Sequence, residues 1–403
     1  MEYVKKDIPL WQVTTWDKKF NNVAKEWQPK TIKYNYLLSD ELDALRVDDG
    51  NVVILYTGKD SGFTTEELAG ENLSEGEIVS IPWGGIPTVK YCKGKFVTGD
   101  NRIATSNDTE ELTNKYLYYF MKGNIQKIAS FYRGASLKHP CMKDILKMTI
   151  SYPTVEVQYQ ICKQFESLEN IIKERKLELE LLDNLIKARF VEMFGDPRTN
   201  SKDWNIKTFD ELSYIITDGE HATPRRTMKG IYLLSARNIL NHSLQLKDVD
   251  YIDQEEYDRI SKRVVPREGD VLISCSGTIG RCCSVPVDIK FQMVRSAALI
   301  RFKEEINPIF AEYMITSDYL QNQINSSKTA SSQANLFQGK IKSLKGFVPP
   351  IELQNQFADF VHQVDKSKVA SDKQLKNIAI LLVICSIIYT NLNGNMGRIP
   401  YDN

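Results

Sequence analysis

No sign of charge dominates this sequence: Lys and Arg together number 52, and Asp and Glu together also number 52. That balance argues against a polybasic coat, so any affinity for nucleic acid has to come from local patches or from partner subunits. Histidine is scarce. His139, His221, His242 and His362 are scattered, without the H-x-x-x-H spacing of a helical metal site, and no bound metal is expected. The seven cysteines include no C-x-x-C pair, which argues against a disulfide framework or a zinc ribbon and makes a reducing cytoplasm the expected setting. Long apolar runs are also lacking. The N-terminal stretch MEYVKKDIPLWQV has no apolar core of signal-peptide length. The one greasy run, Ile378 to Ile388, is too short to span a bilayer, and it is read as a buried helix face.

Chemistry-bearing motifs are equally thin. Asn307-Pro308-Ile309-Phe310 is close to the Asn-Pro-Pro-Phe type of motif with which amino-methyltransferases hold a target adenine, but its second proline is missing and no F-x-G-x-G loop accompanies it. A helix start with Pro308 in its first turn explains it better. Gly277-Thr278-Ile279-Gly280 has neither the glycines nor the lysine of a phosphate-binding loop. No nucleophile, base and orienting group can be assembled, so no catalytic residue and no cofactor are assigned.

What the sequence does contain is a long-period repeat. YPTVEVQYQ, from Tyr152 to Gln160, is echoed by FVPPIELQNQ, from Phe347 to Gln356, so that Pro153, Glu156 and Gln158 correspond to Pro349, Glu352 and Gln354. Upstream, Gly76-Glu77-Ile78-Val79-Ser80 pairs with Gly269-Asp270-Val271-Leu272-Ile273, and each is soon followed by glycine. A solenoid repeats every few tens of residues; here the unit is a whole domain followed by a helix. Short β-rich runs (Asn51 to Thr57, Glu77 to Pro82, Asp270 to Cys275, Ser296 to Phe302) mixed with glycine turns and helices predict an α+β fold in each unit.

After the first proline, steps of four and three from Ile161 reach Phe165, Leu168, Ile172, Arg175, Leu179, Leu182, Ile186, Arg189 and Met193, a heptad seam closed by Gly195 and Pro197. Such a seam needs an equally long partner. Phe357, Val361, Val364, Leu375, Ile378 and Leu382 provide one after the second proline, interrupted by Lys368 and Ser371, where the pairing is expected to weaken. The expected divisions are a first domain over 1–153, a helix over 154–195, a second domain over 196–349, a helix over 350–392 and a tail over 393–403.

Soft nucleic-acid signals sit at matching places in the two units. In the first, Arg133, Lys138 and His139 cluster around Gly134. In the second, Arg225 and Arg226 follow a proline, Arg281 follows Gly280, and Lys328, Gln333 and Asn335 lie in a Ser-rich loop. Arg and Lys reach phosphates or guanine edges, and Gln and Asn can pair bidentately with adenine.

Taken in order, the duplicated Pro, Glu and Gln phrase, the long helix after each copy, Tyr232 to Ile239 and Val265 to Ile273 resemble the specificity subunits of type I restriction-modification systems. Gly76 to Gly85 and Asp100 to Ala104 resemble the first recognition domain of one branch, which adds Trp83 and Arg102 to the candidate DNA contacts. The resemblance implies two target-recognition domains in tandem, each reading one half of a bipartite asymmetric site in double-stranded DNA, with the two helices packed as an antiparallel coiled coil that sets the spacer. It also implies a non-catalytic chain whose partners are two modification subunits, which carry the adenine chemistry, and the translocating restriction subunits. Pro153, Glu156 and Gln158, with Pro349, Pro350, Glu352 and Gln354, would form two copies of one docking surface. The apolar run after Lys376 departs from the basic helix end of the family. The alternatives are a self-contained methyltransferase or nuclease, and a coiled-coil scaffold that does not touch DNA.

Overall fold

Each proline phrase leads into a helix of 40 residues, Val155–Phe194 and Ile351–Thr390, about 60 Å long at 1.5 Å per residue. The computed structural model describes residues 5–58, 61–196, 198–326 and 335–390, with side chains described as far as 381. The chain divides into two units, residues up to 176 with those from 373 onward, and residues 177–372. Each unit therefore takes one globular part and a portion of both long helices.

Among the described residues, the first unit has a six-stranded sheet in the order Thr14–Trp16, Asn101–Ser106, Ser74–Pro82, Lys90–Thr98, Val52–Leu55, Ser61–Thr64. Its first four strands are antiparallel neighbours, with Trp16 opposite Ala104, Pro82 opposite Asn101 and Ser80 opposite Lys90. Alternation along these strands sends Val79, Ile81 and Ala104 into one core and Ile78, Cys92 and Ile103 into another. The central strands are covered on both faces.

The second unit has a four-stranded antiparallel sheet in the order Ser213–Asp218, Ala297–Phe302, Val271–Ser274, Cys282–Ser284. This is the same chain order, first strand beside last, as the first four strands of the other unit. Here too the faces separate: Val271, Ile273, Ala298 and Ile300 enter one core, and Leu272, Cys283, Ala297 and Leu299 another. The α+β architecture and the repeat expected from sequence are both present.

A helix follows the last strand of each sheet. Asn114–Gly123 is capped by the Thr113 hydroxyl, and Pro308–Thr316 by the Asn307 side chain, which accepts the Ile309 N–H at 2.9 Å. The Asn-Pro-Ile-Phe sequence is thus a helix N-terminus with proline in its first turn.

The first long helix ends as expected, with Gly195 at φ +81° and its N–H returning to the Val191 carbonyl at 2.8 Å. All ten seam positions from Ile161 to Met193 are buried or half-buried. In the second unit, Phe190 lies 5.3 Å from Phe357 between ring centroids, Asp183 pairs with Lys368 at 2.8 Å, and Glu178 accepts from Ser371 at 3.0 Å. Partners fall in number along one helix as they rise along the other, so this stretch is antiparallel. The interruption at Lys368 and Ser371 is filled by carboxylates of the facing helix.

The apolar run near the C-terminus differs from expectation. Ile378 is half-buried, but Ile380 is 57% and Leu381 50% exposed, so the described part of the run is not a buried face. A two-helix seam covers one side of each helix, and a run that is apolar all round leaves the rest uncovered. Among the described residues, no helix is long and apolar enough to cross a membrane.

Candidate nucleic-acid interface

In the first unit, Thr14–Trp16 runs out at Asp17, Ser74–Pro82 runs out at Trp83, and Asn101–Ser106 begins there, so these termini share one end of the sheet. The segment 133–139 crosses the same end. His139 Nδ1 lies 2.7 Å from the Trp83 carbonyl, and Gly85 donates its N–H to the Lys138 carbonyl at 3.2 Å. Trp83 is half-buried, with the Arg102 guanidinium 4.1 Å from its ring and Phe20 and His139 on its flanks. Arg133 and Lys138 are exposed beside it. Arg133 holds Asp144 at 2.7 Å, whereas Lys138 has no ion pair among the described residues.

Arg102 requires a correction. It is 3% exposed, and its guanidinium faces Asp17 at 3.5 Å, Asp100 at 3.0 Å and the Asn101 carbonyl at 2.9 Å. Such a side chain braces the Trp83 ring and has almost no exposed surface to offer a base. Asp17 accepts the Tyr36 hydroxyl and the Ile103 N–H, and burial pushes its carboxyl up to about 6 against the opposing pull of Arg102. Sequence reading missed Asp17, Tyr36 and Lys18, whose ammonium lies 4.4 Å from the Tyr36 ring and 3.8 Å from Asp100. Their only signal was position, directly after a strand or in a loop of no special composition.

The second unit repeats the arrangement with other residues. Asp218, Ser274, Cys282 and Ala297 bring four strand termini to one end of the sheet. Backbone bonds lace the loops there: Gly219 N–H to the Ala297 carbonyl at 2.9 Å, Cys275 N–H to Ser296 at 2.7 Å, and Leu336 N–H to Cys275 at 2.8 Å. Asn335 bridges Ser276 as a β-partner, so the segment before the second proline meets the loop after the strand, as 133–139 does in the first unit. A Cβ on Gly219 would lie 2.4 Å from the Val294 carbonyl, and only glycine permits that approach.

Arg225 and Arg226 are exposed but engaged, Arg225 with Glu255 at 2.9 Å and Arg226 with Asp250 at 2.9 Å. Arg281 is half-buried, its backbone tied to Ser274 by two hydrogen bonds, and Arg295, which sequence reading missed, is exposed. Neither guanidinium has an ion pair among the described residues. Lys328 and Gln333 lie outside the described residues.

At the opposite end of each sheet are the duplicated proline phrases. Gln158 is 0% exposed: its Oε1 accepts the Thr113 N–H at 2.9 Å, and its Nε2 donates to the carbonyls of Glu111 at 2.7 Å and Pro153 at 2.9 Å. Gln354, also 0% exposed, repeats this with Asn307 N–H at 2.9 Å and the carbonyls of Glu305 at 2.9 Å and Pro349 at 2.8 Å. Both amides are spent inside the chain. The expectation that they face a partner is corrected on that ground, and Pro153 and Pro349 are buried with them. Glu156, Pro350 and Glu352 remain exposed.

The sequence profile of the type I restriction modification DNA specificity domain matches twice, over residues 20–181 and 201–379. The chain belongs to the type I restriction-modification DNA specificity family. Two curated relatives in the family are the MjaVIII specificity subunit of Methanocaldococcus jannaschii and the EcoBI specificity subunit of Escherichia coli. The first is 20% identical over 80% of this chain and 81% of its own; the second is 22% identical over 69% and 64%. A crystal structure of a type I S subunit from M. genitalium has the same fold, with a TM-score of 0.59 at 13% identity over 97% of this chain and 96% of that one. In this specificity chain the two matched segments each cover one globular part and much of the helix after it.

Proposed function

We propose that the chain is the DNA-reading subunit of a type I restriction-modification complex, with each unit recognising one half of a bipartite, asymmetric site and the long helices setting the spacer. The observation that carries this reading is that the same two loops meet at the same end of an equivalent set of four antiparallel strands in both units, while their residues differ. Equivalent frames give two reading heads, and different loops give two half-site sequences. Trp83, Arg133, Lys138 and His139 serve the first head; Arg225, Arg226, Arg281 and Asn335 serve the second, with Lys328 and Gln333 assigned to it from sequence. Glu156, Pro350 and Glu352 are the exposed part of the two surfaces offered to modification subunits, which supply S-adenosylmethionine and the adenine chemistry. This chain carries none of that chemistry itself, and the restriction subunits join the same assembly.

The test is co-expression with the cognate modification subunit, followed by genome-wide mapping of adenine methylation. One split motif of two unlike halves is expected; absence of any such motif would overturn the reading. The purified chain alone is expected not to bind S-adenosylmethionine, and stoichiometric binding would favour a self-contained methyltransferase.

A further inference from the structure

Gln158 and Gln354 have partners of the same kind in the two units. In each, the amide oxygen takes the N–H of the residue capping the helix after the last strand, and the amide nitrogen ties the carbonyl two residues earlier to the carbonyl of the proline before the long helix. The Gln354 amide thereby makes three hydrogen bonds at full burial, and that of Gln158 four, its oxygen also accepting the Thr113 hydroxyl at 3.2 Å. A buried amide in this state is expensive to disturb, because moving it leaves two carbonyls and an N–H without partners. The contact is long-range in sequence, joining residue 111 to 158 and residue 305 to 354, so it clamps the globular part of each unit to its own helix and does not merely shape the helix.

The clamps also sit at a mechanically significant place. In the first unit, Asn101–Ser106 has Trp83 and Arg102 at its start, while at its far end the Ser106 N–H is held by Asn114, the residue after Thr113. In the second unit, Ala297–Phe302 has the Gly219, Cys275 and Asn335 loops at its start, and leads at its far end to Glu305 and Asn307. A six-residue strand is about 20 Å long. Rocking at the clamp is therefore magnified at the loops.

We infer that Gln158 and Gln354 are positioning residues that fix each reading head on its long helix and so set how strictly the complex holds the distance between half-sites. This inference rests on the reading of the chain as a DNA-specificity subunit. The hydrophobic contacts of Ile161 and Phe165 in one unit, and of Phe357 and Val361 in the other, keep helix and head together without the amide. They are non-directional, and they tolerate small rotations that hydrogen bonds do not.

The experiment uses the full chain with its modification subunit and a plasmid library in which the two half-sites are constant and the spacer varies in single base pairs. Gln158→Met and Gln354→Met keep the side-chain volume while removing the amide. The expected result is that methylation of spacers one base pair longer or shorter rises at least tenfold relative to the cognate spacer, with the letters of both half-sites unchanged. A folded variant that keeps the wild-type spacer preference overturns the inference, as does a uniform fall at every spacer, which is the mark of a stability effect alone. If neither variant folds, amide hydrogen exchange on the wild-type chain decides. Thr113 and Asn307 N–H are expected to exchange as slowly as the interiors of the helices they cap; exchange at the rate of an exposed loop removes the clamp. Absence of split-motif methylation by the wild-type complex would instead defeat the reading of the chain as a specificity subunit.

Discussion

At the scale of the residue, the cations at the two reading ends fall into two groups. Lys138 and Arg281 have no carboxylate partner among the described residues, whereas Arg133, Arg225 and Arg226 are held by Asp144, Glu255 and Asp250. A phosphate gains the full charge of the first group but has to compete for the second. Lys138→Ala is therefore expected to weaken DNA binding by the assembled complex and to lower the slope of log affinity against log salt by about one. Arg225→Ala should change that slope less, and anisotropy titrations at several salt concentrations check both; equal slopes for the two variants would contradict the grouping. A second prediction concerns Asp17. Its folded carboxyl is raised to about 6 by burial from an ordinary value of 3.8, so the stability linked to its protonation is present below about pH 4 and is lost as pH rises through about 6. Asp17→Asn cannot titrate, and its melting temperature is expected to gain on that of the wild type between pH 4 and pH 7. Parallel pH profiles would show that Asp17 titrates normally. Sequence reading proposed Lys138 and Arg281 through nearby glycines, and Trp83 and Arg102 through the family resemblance, which set both on the DNA side. An arginine beside a strand looks the same whether its guanidinium points outward or, as here, into the carboxylates of residues 17 and 100, one of which is far away in sequence.

At the scale of the element, the long helices were the most legible part of the sequence, because a heptad spacing of apolar residues has one physical solution and the Gly195 stop is local. The strands were legible at Glu77 to Pro82 and at Asp270 to Cys275 for a related reason: apolar runs of that length, ended by glycine, fit covered central strands. Gln158 and Gln354 were recognised as repeated but assigned outward, since nothing in a helix start indicates a carbonyl nearly fifty residues upstream. Phe190 contacts Phe194, Phe310 and Phe357 within 6 Å between centroids, joining the long helix to the core of the second unit. Phe190→Ala is expected to cost about 3–5 kcal/mol, measured as a fall in the unfolding free energy of that unit; a loss under 1 kcal/mol would mean that the aromatic cluster closes over the gap. Deleting seven residues from each long helix removes about 10.5 Å of rise per helix. At about 3.4 Å per base pair, the preferred spacer should shorten by about three base pairs in methylation mapping, and an unchanged spacer would show that the helices do not set it.

At the scale of the whole molecule, duplication was readable because the Gly76 and Gly269 runs, the glycines after them and the proline phrases recur in one order, and the family resemblance follows from that order more than from any single motif. The identity of each half-site was not readable, since loops of the same frame differ in nearly every side chain. Exchanging residues 275–281 for those of another family member should change the second half-site and leave the first untouched, a result that mapping of the methylated motif would show directly; a change in both halves would mean that the heads do not read independently. The polar interruption of the seam bears on the same question of addresses. Lys368 meets Asp183 and Ser371 meets Glu178. A slip of one heptad in one direction would bring Lys368 against Lys176 and Ser371 against Ile171; in the other direction it would bring them against Phe190 and Leu185. Only the native alignment matches charge with charge. If the helices set the spacer, the same two unlike half-sites read through a pair slipped by one heptad would form a different genomic address, about three base pairs out of phase, and the mismatch at Lys368 would count against writing it.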